Sequence, residues 1–545
     1  MSPKKIRSQG GGPFARFARR PRQALAPVGG LLLALAFPPY GLWPLAPVGV
    51  AALVVAVSGV SARRAAVRGL GFGLAFFGPL LWWLVASIGF LPWLALVLAE
   101  SAILAATAAA LPALLRLRSW LWPLAVALWW TAGEALRGRV PLGGFPWGRL
   151  AFSQADSPLL VWARWAGAPA VTFATALVGA VLAALVLNRG RTARLRAAGW
   201  LAATSAAALV IPLPDPAGGG PDRATVAIVQ GNVPRERTLA EQARVGTVAA
   251  NHAEATKALA DRIRRGELPA PDVVIWPENA LDDDPSGDPE LGRLVAEAVA
   301  AVDRPILVGA ILDRPGGGMV NAGQLWHPGT GPGAWYAKRN LVPFGEYIPA
   351  RGLLGGLGNL QLIPRDFSPG TGATLLTAGQ VRMADVICFE VGYDATVREG
   401  VRAGANLLVE QTNNATYMRD GSTAETEQQL AMARLRAVEH DRALVVAATS
   451  GVSAVIRPDG TVAQRTGQWT QETLTAEVPL RTTVTPANRV GSWPEAAAVA
   501  ATLALLLGSL LKGHPGRRPR PRPGRPAEVP ESVPALTGNT YPTRV

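Results

Sequence analysis

The chain has 545 residues, a formal net charge of +15, a mean hydropathy of +0.22 and 17 tryptophans. Only 17% of its residues are charged, against about 25% in an average soluble protein, which excludes an ordinary soluble globular chain. The apolar residues crowd into 24–213 and 493–511, whereas 222–488 has the make-up of a soluble domain.

In chain order, eight apolar segments approach the ~20 residues of helix that a bilayer core requires. They are 24–38, 42–60, 70–89, 92–114, 119–136, 158–187, 197–213 and 493–511. The first follows a basic stretch, 1–23, and could pass for a signal peptide. Further apolar segments follow at once, so it is expected to be a retained helix. Lys4, Lys5, Arg7, Arg16, Arg19, Arg20 and Arg22 precede it. Arg63, Arg64 and Arg68, then Arg116 and Arg118, then Arg189, Arg191, Arg194 and Arg196, then Lys512, Arg517, Arg518 and Arg520 fall in alternate connections. This is the positive-inside pattern. The basic excess is therefore a topology signal and no footprint of nucleic acid. It predicts cytoplasmic termini and an extracytoplasmic 222–488. Arg137, Arg139 and Arg149 would lie on the outer side, against the rule. Glu100 falls inside the fourth segment, where an ionisable group points either to function or to a structural contact within the bundle. Trp147, in "GFPWG", reads as an interfacial anchor or as a gate to lipid.

The stretch "PLPDPAGGGPDRA" (212–224) is a turn-rich boundary. Beyond it, strands are expected at 225–233, 271–278, 305–312, 319–327, 333–339, 381–388, 406–412 and 443–456, with helices at 238–266, 288–303 and 425–441. Strands alternating with helices argue for an α/β layered fold. The Pro/Arg-rich 512–545 reads as a disordered cytoplasmic tail.

Polar residues end three otherwise apolar strands of this domain. "VVIWPENA" carries Glu278, "YAKRNLVPFGEYIP" carries Lys338 and Glu346, and "DVICFEVGY" carries Cys388, Phe389 and Glu390. Each has a plain structural alternative: a helix cap for Glu278, a solvated edge lysine for Lys338 and an ion-pair partner in a turn for Glu346. Cys388 is the only cysteine; it can form no intrachain disulfide, and it suits a buried hydrophobe or a nucleophile. Open α/β sheets place their chemistry at the carboxyl ends of strands. A carboxylate to take the thiol proton and an ammonium to favour the thiolate are what a cysteine nucleophile requires. "GYDATVREGVRAG" reads as a helix that would put its N-terminus beside Cys388. Four histidines without ligand-like spacing give no support to a His-based triad or a zinc site.

Glu278, Lys338 and Cys388, in this order and each at a strand end, resemble the Glu-Lys-Cys triad of the nitrilase superfamily. More specifically, "QGNVP", "WPENA", "LVPFGEYIP", "CFE", "GFPWGRLAFSQADSP" and "GSWP" resemble the bacterial apolipoprotein N-acyltransferases over residues 25–511. The resemblance implies an α-helical membrane domain of about eight helices (24–213 with 493–511) and an extracytoplasmic αββα sandwich (222–488). It implies that Cys388 takes an acyl chain from a membrane phospholipid and passes it to the N-terminal amine of an S-diacylglyceryl-cysteine apolipoprotein, with neither metal nor cofactor. Glu278 would be base and then acid; Lys338 and the Phe389 N–H would hold the oxyanion. Glu346 would orient Lys338, Glu390 would support the loop, and Trp147 and Trp276 are candidates for a substrate or membrane gate. The segment "RERTLAE" lacks an aromatic that some members carry there. Relatives fused to a polyprenol-phosphate mannose synthase raise a separate synthase as a partner. A membrane-tethered amidase with water as acceptor, and a non-catalytic lipoprotein-binding relative, are the competing readings.

Overall fold

The computed structural model describes residues 20–512 except 189, 211, 216–221, 234–243, 315–316, 355–364 and 373. The RERTLAE segment and the basic and Pro/Arg-rich ends lie outside the described residues.

The apolar segments form α1 (Arg20–Leu35), α2 (Leu45–Val57), α3 (Ala62–Leu80), α4 (Phe90–Ala108), α5 (Trp122–Arg137), α6 (Ala163–Leu187) and α7 (Arg191–Val210). The third starts earlier than the apolar run suggests, because Arg63 and Arg64 are already helical. Three stretches are long and apolar enough to cross a membrane by length and composition: Phe90–Leu114, Pro158–Leu187 and Trp493–Leu511. Arg22–Leu35 and Leu45–Val57 are apolar but shorter. Helices pack closely where glycine removes the side chain. A Cβ on Gly30 of α1 would stand 2.2 Å from the Phe72 carbonyl oxygen of α3. Outward-facing Val67, Leu91, Val186, Leu503 and Leu510 are between 62% and 75% exposed, the apolar exterior expected of helices that meet lipid.

The α/β domain contains β1 (Arg223–Gln230), α8 (Arg244–Arg264), β2 (Val273–Ile275), α9 (Pro289–Val302), β3 (Ile306–Asp313), β4 (Met319–His327) and β5 (Gly331–Ala337). It continues with β6 (Leu375–Ala378), β7 (Val381–Ile387), α10 (Asp394–Arg402), β8 (Leu407–Thr412), α11 (Ala424–His440), β9 (Leu444–Ala448), β10 (Ala454–Ile456), β11 (Val462–Arg465) and β12 (Glu472–Pro479), before α12 (Trp493–Lys512). The strands form two six-stranded sheets, ordered β12-β1-β2-β3-β4-β5 and β11-β10-β9-β8-β7-β6. The central strands β1, β2, β3 and β7, β8, β9 run parallel, with antiparallel pairs outside them. A strand covered on both faces reads as a continuous buried run, as in the fully buried "LLVEQT" of β8.

Alternate residues of each strand serve different layers. Ile228, Ile275, Leu307, Met383, Val409 and Val445 meet between the sheets. Val274, Trp276 and Val308 turn outward against Leu259, Val295 and Val299 of α8 and α9. Helix α9 starts where Asp288 accepts hydrogen bonds from the N–H groups of Glu290 and Leu291, with Pro289 at its first position. The outer face of the second sheet has no separate core. Val386, Val397, Leu435 and Val438 share one apolar cluster with Phe37, Phe76, Trp83 and Phe152 of the helical part.

The three arginines that contradict the charge rule are all paired at this seam. Arg137 reaches Glu100 at 3.1 Å and the carbonyls of Phe145 and Trp147 at 2.9 and 2.6 Å. Glu100 is thus a structural partner that holds the GFPWG loop. Arg149 meets Asp394 at 2.9 Å, Glu495 at 3.2 Å and Glu134 at 3.8 Å, and Arg139 meets Glu495 at 2.5 Å. Arg436 joins Asp394 from the other side at 2.7 Å. Burial opposes the charge on Asp394, but the two guanidiniums outweigh it and hold the carboxyl well below the usual carboxylate range.

Several expectations shift. The run 443–456 is two strands, β9 and β10, paired antiparallel around a turn. Strands β6, β11 and β12 are additional. The helix after Cys388 does not begin at the thiol: a 3₁₀ turn, Cys388–Gly392, comes first, and α10 starts at Asp394.

Candidate active site

Strand β7 delivers Cys388 at its carboxyl end, and the residue turns there with φ of +53°. For a residue with a β-carbon this conformation costs about 1–3 kcal/mol, so the surroundings must hold it. Glu390 does so. Its carboxylate accepts hydrogen bonds from the N–H of Ile387 (3.1 Å), from the N–H groups of Arg339 and Asn340 (2.7 and 3.0 Å) and from the Tyr336 hydroxyl, 3.0 Å from both oxygens. One buried side chain ties the turn of Cys388 to the segment that carries Lys338.

Lys338 follows β5 directly and is 2% exposed. Its Nζ donates to Glu278 Oε1 at 3.0 Å and to Glu346 Oε1 at 3.1 Å. Asn321, buried on β4, donates Nδ2 to the same two oxygens at 2.7 and 2.8 Å. The other oxygen of Glu278 accepts from the Asn413 N–H at 2.9 Å, past the end of β8. Burial alone would strip the charge from Lys338, but Glu278 and Glu346 outweigh it and keep the ammonium well above its ordinary pKa. Val342 N–H and the two shared donors fix Glu346 in turn, the first at 2.8 Å.

The Cys388 thiol is pushed well above its ordinary range by burial and the Glu278 carboxylate; Lys338 and a hydrogen bond with Thr412 pull it back only in part. It therefore rests as a thiol, and its proton has to leave as the sulfur attacks. A thiol, a carboxylate and a buried ammonium that act on one another can carry out acyl transfer.

Phe389 stacks on Phe145 at 5.7 Å and on Trp147 at 6.2 Å between ring centroids. Trp147 is only 2% exposed, so it cannot serve as an anchor in the headgroup layer. Its Nε1 donates to Gln428 at 2.6 Å, which places it between the helical part and the residue next to Cys388. Trp276 is corrected as a gate candidate. It lies on the helix-facing side of the first sheet, fully buried, with Nε1 donating to Thr256 of α8 at 2.9 Å. Only its carbonyl faces the site, where Gln411 donates to it at 2.5 Å.

Three groups at the site escape sequence reading. Asn321 left a trace, as a polar residue within an apolar strand. The Asn413 N–H left none, because every residue has one. Glu425, at the start of α11, is 3% exposed and accepts from Asn414 Nδ2 at 2.7 Å. Burial pushes its carboxyl up to about 8.

Two family models match the chain: "Apolipoprotein N-acyltransferase N-terminal domain" over residues 29–181 and "Carbon-nitrogen hydrolase" over residues 225–486. The second agrees with the two-sheet sandwich and gives the domain a nitrilase-like fold. The apolipoprotein N-acyltransferase of Mycolicibacterium smegmatis is 38% identical over 514 residues, spanning 90% of this chain and 85% of that one. That of Pseudomonas putida is 33% identical over 530 residues, spanning 91% and 97%. With both of its regions matched and relatives aligned along nearly the whole length, the chain belongs to the apolipoprotein N-acyltransferase family and is an acyltransferase.

Proposed function

We propose that this chain moves an acyl chain from a membrane phospholipid, through a thioester on Cys388, to the N-terminal amine of an S-diacylglyceryl-cysteine apolipoprotein. Cys388 Sγ attacks the ester carbonyl while Glu278 takes the thiol proton. Lys338 Nζ and the Phe389 N–H stabilise the oxyanion, and Glu278 returns the proton to the departing lysophospholipid oxygen. In the second half the amine attacks the thioester, and a proton passes through Glu278 to sulfur. Glu346 and Asn321 position Lys338 and Glu278, and Glu390 holds the turn.

One observation carries this reading: Cys388, Glu278 and Lys338 are buried together beside aromatic rings supplied by the helical part. A hydrolase gains nothing from such a unit, whereas two lipid-tailed substrates must reach the thiol from a bilayer. Exclusion of water also protects a reactive thioester. After loading with labelled phospholipid and removal of excess, the Cys388 adduct is expected to persist alone and to vanish rapidly with a free-amine diacylated lipopeptide. An N-acetylated lipopeptide should not accelerate its loss. Equal decay in all three conditions would favour the amidase with water as acceptor. Failure of the wild type to form any adduct would favour the non-catalytic relative. The separate mannose synthase finds no support in the relatives or in the described residues.

The helices are read as eight spans with both termini in the cytoplasm and 222–488 outside. The arginine distribution supports this, and so does the pairing of Arg137, Arg139 and Arg149, which removes them as unneutralised charges on the outer side. A reporter that works only outside the cytoplasm should be active when fused after residue 300; activity at that position of one that works only in the cytoplasm would reverse the orientation.

A further inference from the structure

The acceptor sets a proton balance that one carboxylate cannot close. At neutral pH a free α-amine is largely ammonium, with a pKa of about 8. Converting R–NH₃⁺ and a thioester into an amide and a thiol leaves one proton in surplus. Glu278 accounts for the proton that moves from nitrogen to sulfur. The other needs a second acceptor.

Glu425 lies close enough to Cys388 to act on its thiol. Thr412 acts on the same thiol, and Asn414 Nδ2 bridges Thr412 Oγ1 at 3.3 Å to Glu425 Oε2 at 2.7 Å. Gln429 Oε1 closes the group, accepting from Asn414 at 2.7 Å and from Thr412 at 3.1 Å. The hydrogen bonds of Glu425 all fall on Oε2, the second from Thr426 at 3.4 Å. Among the described residues, Oε1 accepts none. A carboxyl buried beside the thiol with one oxygen uncommitted has no role in the acylation step described above.

Building on the transfer reading, we propose that Glu425 is the second proton acceptor, the group that neutralises the incoming ammonium. Its carboxylate pairs with R–NH₃⁺, and one N–H proton passes to Oε1. The freed lone pair forms the C–N bond at the thioester carbonyl. Glu278 takes the second N–H proton and delivers it to Sγ as the C–S bond breaks. The products are the amide, the Cys388 thiol and protonated Glu425, which loses its proton to water before or as the next ammonium arrives. A carboxyl raised to about 8 by burial matches an α-amine of similar pKa, so the transfer runs nearly level. The groups that act on it electrostatically are Glu278, Cys388, Tyr417 and Glu410 of β8. None of these is a cation that would hold Glu425 permanently ionised. Water as acceptor brings no ammonium, so this second base belongs to the transferase and not to a hydrolase.

The test separates the two half-reactions in the full-length enzyme with Glu425→Gln. Loading of Cys388 from labelled phospholipid should stay within about 3-fold of wild type. Transfer to the diacylated lipopeptide at pH 7 should fall by about 10²-fold, the scale of a lost general base. Transfer to hydroxylamine, which is unprotonated at neutral pH, should survive. The lipopeptide defect should also shrink as pH rises past about 8 and the acceptor loses its own proton. Glu425→Asp keeps a carboxylate and should restore part of the transfer with a pH profile close to wild type. Equal loss with both acceptors, impaired loading, or full lipopeptide transfer in the Gln variant would each overturn the assignment. Absence of any thioester on the wild type would instead remove the transfer reading, and this assignment with it.

Discussion

Replacing Cys388 by alanine is expected to abolish both the acyl-enzyme and the transferred product, and replacing it by serine to leave only a trace. The thiol already starts from an unfavourable position, since burial and Glu278 keep it protonated. A hydroxyl would have to surrender a far more tightly held proton to the same base. Lys338→Ala should fail for a different reason. It removes the one cation that Glu278 and Glu346 share, leaving two carboxylates that meet only the Asn321 amide between them. Loss of an oxyanion donor alone costs about 10²–10³ in rate. The measurement is intact mass after incubation with phospholipid, alongside a thermal melt to establish that each variant is folded. A full acyl adduct on another residue, or normal product formation, in Cys388→Ala would remove the nucleophile assignment. Acylation by Lys338→Ala within a few-fold of wild type would limit the lysine to structural support.

A single methyl group on a residue with no side chain of its own to offer should be nearly as damaging. Gly309, in the middle of β3, passes directly beneath the end of β2. A Cβ there would stand 2.1 Å from the Pro277 carbonyl oxygen and 2.7 Å from the Glu278 Cα. These neighbours are backbone, so no rotamer change relieves the clash and the segment bearing Glu278 has to move. Glu278 is held by three hydrogen bonds, from Lys338, Asn321 and the Asn413 N–H, and a shift of the chain breaks their common geometry. Displacement of a catalytic group by about 1 Å costs on the order of 10²-fold. Gly309→Ala is therefore expected to remain folded and to load Cys388 at least about 10²-fold more slowly. An unchanged loading rate would mean that the β2 end yields without carrying Glu278 along.

The parts of this architecture legible in the residues are those where one strand or helix speaks for itself. The ILVGAIL run of β3 and the opening LLV of β8 are apolar, and Glu278, Lys338 and Cys388 announce themselves as polar residues closing such runs. What escaped reading depends on partners distant in the chain. Strand β12 has only partly buried residues along most of its length and is a strand because β1 lies beside it, residue for residue from Arg223 with Pro479 to Gln230 with Glu472. Strands β9 and β10 merged into one expected strand because the turn between them, 449–453, is buried too and is built of small residues without a proline or a charge to mark it. Trp276 misled because it neighbours Glu278 in sequence; its ring follows Val274 into the helix-facing layer, whereas Glu278 lies beyond the end of β2 and Pro277, where the alternation of the strand no longer holds. Glu425 sits in a helix start, where an acidic residue is unremarkable; only the fold shows that this one is buried.

The aromatic stack at Phe389 and the common apolar cluster of Val386, Leu435, Phe76 and Trp83 bear on how such an enzyme can arise and be taken apart. The two matched regions of the chain look modular on paper, yet the residue adjoining Cys388 rests on rings from the other region. Excising residues 222–488 would uncover one whole face of the second sheet and strand Asp394 with a single guanidinium. A domain of this fold standing alone would have to close that face in some other way. Here the helices supply that half of the core, and with it the support for Phe389 beside Cys388.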